Sequence, residues 1–202
     1  MSLIFTNKTA SSVLEEYSCT IGLDISRNST GVALYQNGIM RLYRISLDAK
    51  YDKDNPMWEA EMKKEFKDNL TKLVKDKEFD LAVVENTING CNAITNKELT
   101  LLNTVFDDLV TEGVCKVKKE NLVRPLPNVW RKSLKDFTGT TSASNTKELV
   151  EKLLHRLGYR FVLDYQDETD KAKKEIGYYD ICDATGMLIA YMYKKSSLNT
   201  KS

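Results

Sequence analysis

Hydrophobic positions follow two different periods along the chain. Residues 19–25 and 31–36 are rich in Ile, Leu, Val and Tyr and predict two strands, joined by the polar Ser26-Arg27-Asn28-Ser29-Thr30. Asn37-Gly38 is a two-residue hairpin signal, and the alternating Ile39-Met40-Arg41-Leu42-Tyr43-Arg44-Ile45-Ser46 predicts a third strand. The chain therefore opens on a three-stranded antiparallel meander. After a polar loop at 48–55 the period lengthens. Met57, Trp58, Met62, Phe66, Leu70, Leu73 and Val74 recur at steps of three and four, as on one face of a helix over 57–77. Phe79-Asp80-Leu81-Ala82-Val83-Val84-Glu85 is short and almost wholly apolar, as expected of a buried parallel strand.

A second helix is predicted over 95–112, with Leu99, Leu102, Val105, Phe106 and Leu109 on one face. Then follow a strand near 114–123, a helix started by Pro127, a Gly/Thr/Ser loop at 138–146 and a helix over 146–157. Residues 159–163 read as a short strand or extended link, 165–177 as a charged exposed stretch, and 179–194 as the last helix. Three antiparallel strands followed by helices alternating with short apolar strands predict an α/β domain. Its sheet is mixed and five-stranded, flanked by helices.

The 202 residues suit one domain, expected over 18–195, with an arm at 1–17 and a tail at 196–202. The opening MSLIFTNKTASSVLEEYS has too short an apolar stretch and no basic start for a secretory leader, and reads as a loose arm or a short extra strand. No run of about 18 apolar residues predicts a membrane span. Cys19, Cys91, Cys115 and Cys182 lack metal-site spacing and read as reduced thiols of a cytoplasmic protein.

One position disturbs the strand pattern. Asp24 lies within the apolar run of residues 19–25, where an unpaired buried charge costs several kcal/mol, roughly. Glu85 ends the later apolar strand, and Asp180 and Asp183 open the last helix three residues apart, on one face. Taken singly, the two helical acids have an ordinary role at the positive end of the helix dipole. Taken together, four acids stand where apolar elements end or begin. Ligands of such sheets bind at the carboxyl ends of strands. Converging carboxylates raise one another's pKa, and a divalent cation reverses that penalty. Hard oxygen donors suit Mg²⁺ or Mn²⁺, and a pair of such ions can clamp a phosphodiester.

The pattern Gly22-x-Asp24-x-Ser26-x-x-x-Thr30-Gly31, then apolar-Val84-Glu85, then Asp180-x-x-Asp183-Ala184 resembles the RuvC family of Holliday-junction resolvases, in order and over about 18–193. The resemblance implies a ribonuclease H-like fold, a homodimer, and Mg²⁺-dependent symmetric nicking of four-way DNA junctions, with Mn²⁺ as a substitute. Asp24, Glu85, Asp180 and Asp183 would be the catalytic metal ligands. The lysine-rich composition, 23 Lys to 7 Arg, suggests a bacteriophage member from a low-GC host, a type that also cuts other branched DNA. The family has a basic residue on the helix before the last, a place loosely matched by Lys147. That lysine would neutralise the scissile phosphate or else be a solvated first-turn residue. Bacterial members carry a wedging aromatic three residues after the strand Glu; here that position is Ile88.

The charge distribution changes the picture further. Residues 116–160 hold eleven Lys/Arg against four Asp/Glu, although the whole chain carries a net charge of only +1. This is either a solvated helical surface or one face turned to a polyanion. Arg131, Lys132 and Lys135 lie in it beside Trp130 and are candidate DNA-backbone contacts, with Trp130 equally readable as core. His155 is expected to be structural. Competing functions are a hybrid-cleaving ribonuclease H, a non-catalytic branched-DNA-binding module and an actin-like phosphate-binding ATPase. The last lacks here a second phosphate loop and a Gly-rich adenosine motif. The helix over 95–112, with Leu101, Leu102, Val105 and Phe106, is a candidate dimer face, although burial against the sheet explains the same residues.

Overall fold

A computed structural model describes residues 2–8, 16–47, 54–86, 93–138, 149–150 and 178–199, of which 2–8, 93–94, 137–138 and 195–199 are described as backbone alone. The meander is present as β2 (Cys19–Asp24), β3 (Thr30–Gln36) and β4 (Ile39–Ile45), paired antiparallel in sequence. Asn37 and Gly38 take the positive φ angles of 49° and 80° that a tight hairpin requires. The arm contributes an extra strand, β1 (Ser2–Lys8), antiparallel to β4 at the edge of the sheet.

Helix α1 (Trp58–Val74) follows, then β5 (Glu78–Phe79) and β6 (Leu81–Val84), which runs parallel to β2. Helix α2 (Ala93–Thr111) leads to β7 (Lys116–Val117), a 3₁₀ turn (Lys119–Asn121) and β8 (Leu122–Val123). Helices α3 (Pro127–Thr138) and α4 (Tyr178–Asn199) complete the described elements, and Leu149 and Val150 are helical. The sheet order is β1-β4-β3-β2-β6-β8. Five of these strands are the expected mixed sheet, and β1 is the sixth.

Residues 114–123 do not form the single strand expected of them. Lys116–Val117 pairs instead with Glu78–Phe79 in a separate two-stranded ladder, and only Leu122–Val123 joins the main sheet beside β6. The cause lies in Lys118, Lys119 and Glu120, which are exposed. Three consecutive charged side chains cannot be desolvated in a strand covered on both faces, so the chain turns outward between the two short strands. The expected elements at 139–148 and 151–177, together with Ile88, Cys91, Lys147 and His155, lie outside the described residues.

The period of two along each strand divides the core between the faces of the sheet. Cys19, Ile21 and Leu23 of β2 and Ala82 and Val84 of β6 pack with α1 and α2. Ala33, Tyr35, Leu81 and Val83 face the other way, against α3 and α4. Leu102, Val105, Phe106 and Leu109 of α2 are wholly buried, so burial in the core accounts for the apolar residues proposed as a dimer face, with Leu101 half-buried beside them. Cys19, Cys115 and Cys182 are buried, and none of them is in a disulfide among the described residues.

Candidate active site

The strand period decides where Asp24 points. Ile21 and Leu23 face α1 and α2, so Gly22 and Asp24 face α4. Two glycines let that helix come close. A Cβ on Gly22 would lie 2.5 Å from the Ala184 carbonyl oxygen, and one on Gly31 would fall inside contact distance of the Asp180 carbonyl. Gly31 is the register partner of Asp24 across β2 and β3. The first turn of α4 is therefore pressed against the strand pair at the level of Asp24. Asp180 and Asp183 stand one turn apart on that helix and are half-buried.

Glu85 arrives by the same logic from β6. Leu23 and Val84 are register partners, and the Glu85 N–H donates to the Leu23 carbonyl at 2.9 Å. Val84 faces α1 and α2, which turns Glu85 to the side of Asp24. The carboxyl ends of two adjacent parallel strands thus present their acids side by side, where ligands of such sheets bind.

The electrostatics record this convergence. Burial pushes the Asp24 carboxyl well above the usual carboxylate range, and the Glu85 charge, a hydrogen bond with Glu85, and the Asp183 and Asp180 charges push it the same way. The other three acids singled out in the sequence all act on Asp24. They do not close into a cage: among the described residues, no group of three or more His, Cys, Asp or Glu side chains is arranged to hold a metal ion. Two of the acids are engaged by α3. The Trp130 indole Nε1–H donates to Glu85 Oε1 at 2.7 Å, and Arg131 Nη2 pairs with Asp183 Oδ2 at 3.2 Å.

The turn after Asp24 is held from three sides. Ser26 Oγ donates to the Ser29 carbonyl at 2.7 Å, and Thr30 Oγ1 donates to the Ser26 carbonyl at 3.3 Å. Arg44 Nε donates to Ser29 Oγ at 2.8 Å, and Arg27 pairs with the buried Glu98 of α2 at 2.9 Å. Ser26 and Thr30 of the first-strand pattern therefore build the turn that follows the acid.

Of the candidate DNA contacts, Lys132 is exposed and Lys135 half-buried, while Arg131 turns inward to Asp183. Trp130 is wholly buried, which removes it as a DNA contact and makes it core. Its link to Glu85 was missed in the sequence. The available signal was the indole itself, because a core Trp needs an acceptor for its N–H.

No protein-family model matches the sequence, and no curated protein matches it. Solved structures do match the fold. The crystal structure of the yeast mitochondrial Holliday junction resolvase Ydc2 gives a TM-score of 0.60 at 12% identity, over 91% of this chain and 81% of that one. T. thermophilus RuvC in complex with a Holliday junction substrate gives 0.56 at 8% identity, over 89% and 96% of the two chains. A further Thermus thermophilus RuvC structure gives 0.53 at 9% identity over the same shares. At these identities the likeness is one of fold: the chain has the RuvC-like, ribonuclease H-like α/β architecture along most of its length.

Proposed function

We propose that this chain is a metal-dependent, structure-selective DNA endonuclease of the bacteriophage RuvC-like type. It would nick Holliday junctions symmetrically, and other branched DNA, in the host cytoplasm. The observation that carries the reading is the convergence of Glu85, Asp183 and Asp180 on the buried Asp24, at the strand ends of a fold shared with junction resolvases.

By its chemistry the donor set suits a hard divalent cation, on which the four side chains would still have to close. It is all carboxylate, and Asp24 is driven toward its protonated form first by burial and then by the charges of its acidic neighbours, which a cation would offset. Asp24, Glu85, Asp180 and Asp183 would hold Mg²⁺, with Mn²⁺ able to replace it. Bound there, the metal supplies polarisation of the attacking water and charge neutralisation at the departing 3′ oxygen. In the reaction a water oxygen bonds to phosphorus as the bond from phosphorus to O3′ breaks, which leaves a 5′-phosphate and a 3′-hydroxyl.

The remaining roles fall to the chain's own side chains. Arg131, which pairs with Asp183, and Lys132 and Lys135 on the same helix are assigned to the DNA backbone. Lys147 is assigned to the scissile phosphate and Ile88 to wedging the junction. Two strands of a two-fold junction call for two sites related by two-fold symmetry, hence a homodimer.

The test is a substrate panel in Mg²⁺ containing a synthetic four-way junction, a linear duplex and an RNA–DNA hybrid. Paired symmetric nicks in the junction, abolished by EDTA, support the proposal. Cutting of the hybrid alone moves the protein to a ribonuclease H activity. Tight junction binding without cutting in any metal makes it a DNA-binding module.

A further inference from the structure

Trp130 is wholly buried, and its ring lies against α4. At Gly186, one turn beyond Asp183, a Cβ would stand 3.4 Å from the Trp130 ring and 2.6 Å from Val150 Cγ2, so the helix leaves room there for the core around the indole. Leu134, on the next turn of α3, shares this cluster. Phe or Leu would serve such a site if filling volume were the only requirement. The indole adds one polar atom, and that N–H meets a carboxylate, Glu85 Oε1 at 2.7 Å, rather than a main-chain carbonyl. A hydrogen bond to an ionised acceptor is about twice as strong as one between neutral groups.

Glu85 is also the acid hydrogen-bonded to Asp24. It lies just beyond the last residue of β6, so the strand ladder fixes its backbone but not its side-chain torsions. A carboxylate offers about four lone-pair directions, so an indole on Oε1 leaves capacity for Asp24 and for a cation. The next residue, Arg131, lies 5.0 Å from the Trp130 ring centroid and reaches Asp183. Consecutive residues of α3 therefore touch acids from two different elements.

We propose that Trp130 is a positioning residue of the carboxylate site, its indole N–H holding Glu85 turned toward Asp24 in readiness to share a divalent cation. This rests on the metal reading given above. Partners that orient a metal ligand typically change affinity 10–100-fold when removed, and Trp130 acts on Glu85 in that way.

The test is Mn²⁺ titration of the full chain without DNA, with free Mn²⁺ read by electron paramagnetic resonance. Trp130→Phe keeps a ring and loses the N–H. It is expected to weaken Mn²⁺ binding by about 10-fold or more, and to cause no further weakening when added to Glu85→Gln. Unchanged affinity in Trp130→Phe overturns the positioning role, as does the same loss persisting in the Glu85→Gln background. No Mn²⁺ binding by the wild-type chain overturns the metal reading and the proposal together, a result distinct from either of those.

A second measurement needs no substitution at the buried site. The indole ¹H–¹⁵N signals of Trp130 and Trp58 are followed in the wild-type chain as Mg²⁺ is added. Trp58 is the first residue of α1 and packs against the core on the opposite face of the sheet. A saturable shift of the Trp130 signal alone is expected, and an unmoved Trp130 signal at saturating Mg²⁺ overturns the proposal.

Discussion

Gly31 lies so close to Asp180 that any side chain at position 31 would collide with the Asp180 main chain. The obstacle is backbone, so no rotamer change relieves it. Gly31→Ala must push the first turn of α4 away from the strand that carries Asp24. The expected cost is about 3 kcal/mol or more, at the upper end of overpacking changes. It is read as a lower urea midpoint in EDTA, and junction nicking should be lost even where the variant stays folded.

Asp24 is expected to trade stability for function. Its carboxyl titrates well above the ordinary value of 3.8 in the folded chain. A group whose pKa rises on folding contributes stability that is fully present below its unfolded pKa and is lost as pH rises through the folded pKa. Wild-type protein in EDTA should therefore lose stability from about pH 4 upward through this group. Asp24→Asn cannot ionise, so it should melt higher than wild type at pH 7, with the gap closing toward pH 4. Added Mg²⁺ should raise the wild-type melting temperature more than that of Asp24→Asn. Thermal melts with and without the metal check both statements.

Arg131 and Asp183 form a part-exposed pair, with side chains 40% and 16% accessible. Such pairs contribute at most about 1 kcal/mol to stability. Arg131→Gln should leave the denaturation midpoint nearly unchanged, while junction nicking falls at least about tenfold, the scale of one lost charge-assisted phosphate contact. A drop in stability matching the drop in activity would make the arginine a structural residue.

Burial pushes the Cys19 and Cys115 thiols up to about 11. Because the thiolate is the reactive form, neither should react at neutral pH. Mass-spectrometric mapping after brief alkylation of the native protein should find both unmodified, and urea should expose them.

Much of the sheet was legible because its signals are local. The Asn37-Gly38 turn, the alternation of Ile39–Ile45 and the three-and-four spacing from Met62 to Val74 each act within one element. The acids could be picked out because a charge in an apolar strand needs an explanation. What stayed hidden was long-range. Nothing near Trp130 announces that its indole meets an acid 45 residues earlier in the chain. The outward turn at Lys118–Glu120 is not legible locally, because the β-branched residues around it favour a strand, while the cost of burying three charges depends on where the strand would lie.

The most direct test of the central claim is Mg²⁺-dependent nicking of a four-way junction by wild type, Asp24→Asn, Glu85→Gln, Asp180→Asn and Asp183→Asn. Products are resolved on a denaturing gel, and junction binding is measured in parallel in Ca²⁺. Paired symmetric nicks by wild type, at least about 10²-fold slower in each variant with binding retained, are the predicted result. Nicking undiminished in any one of the four would contradict the account, because that acid would then not belong to the site.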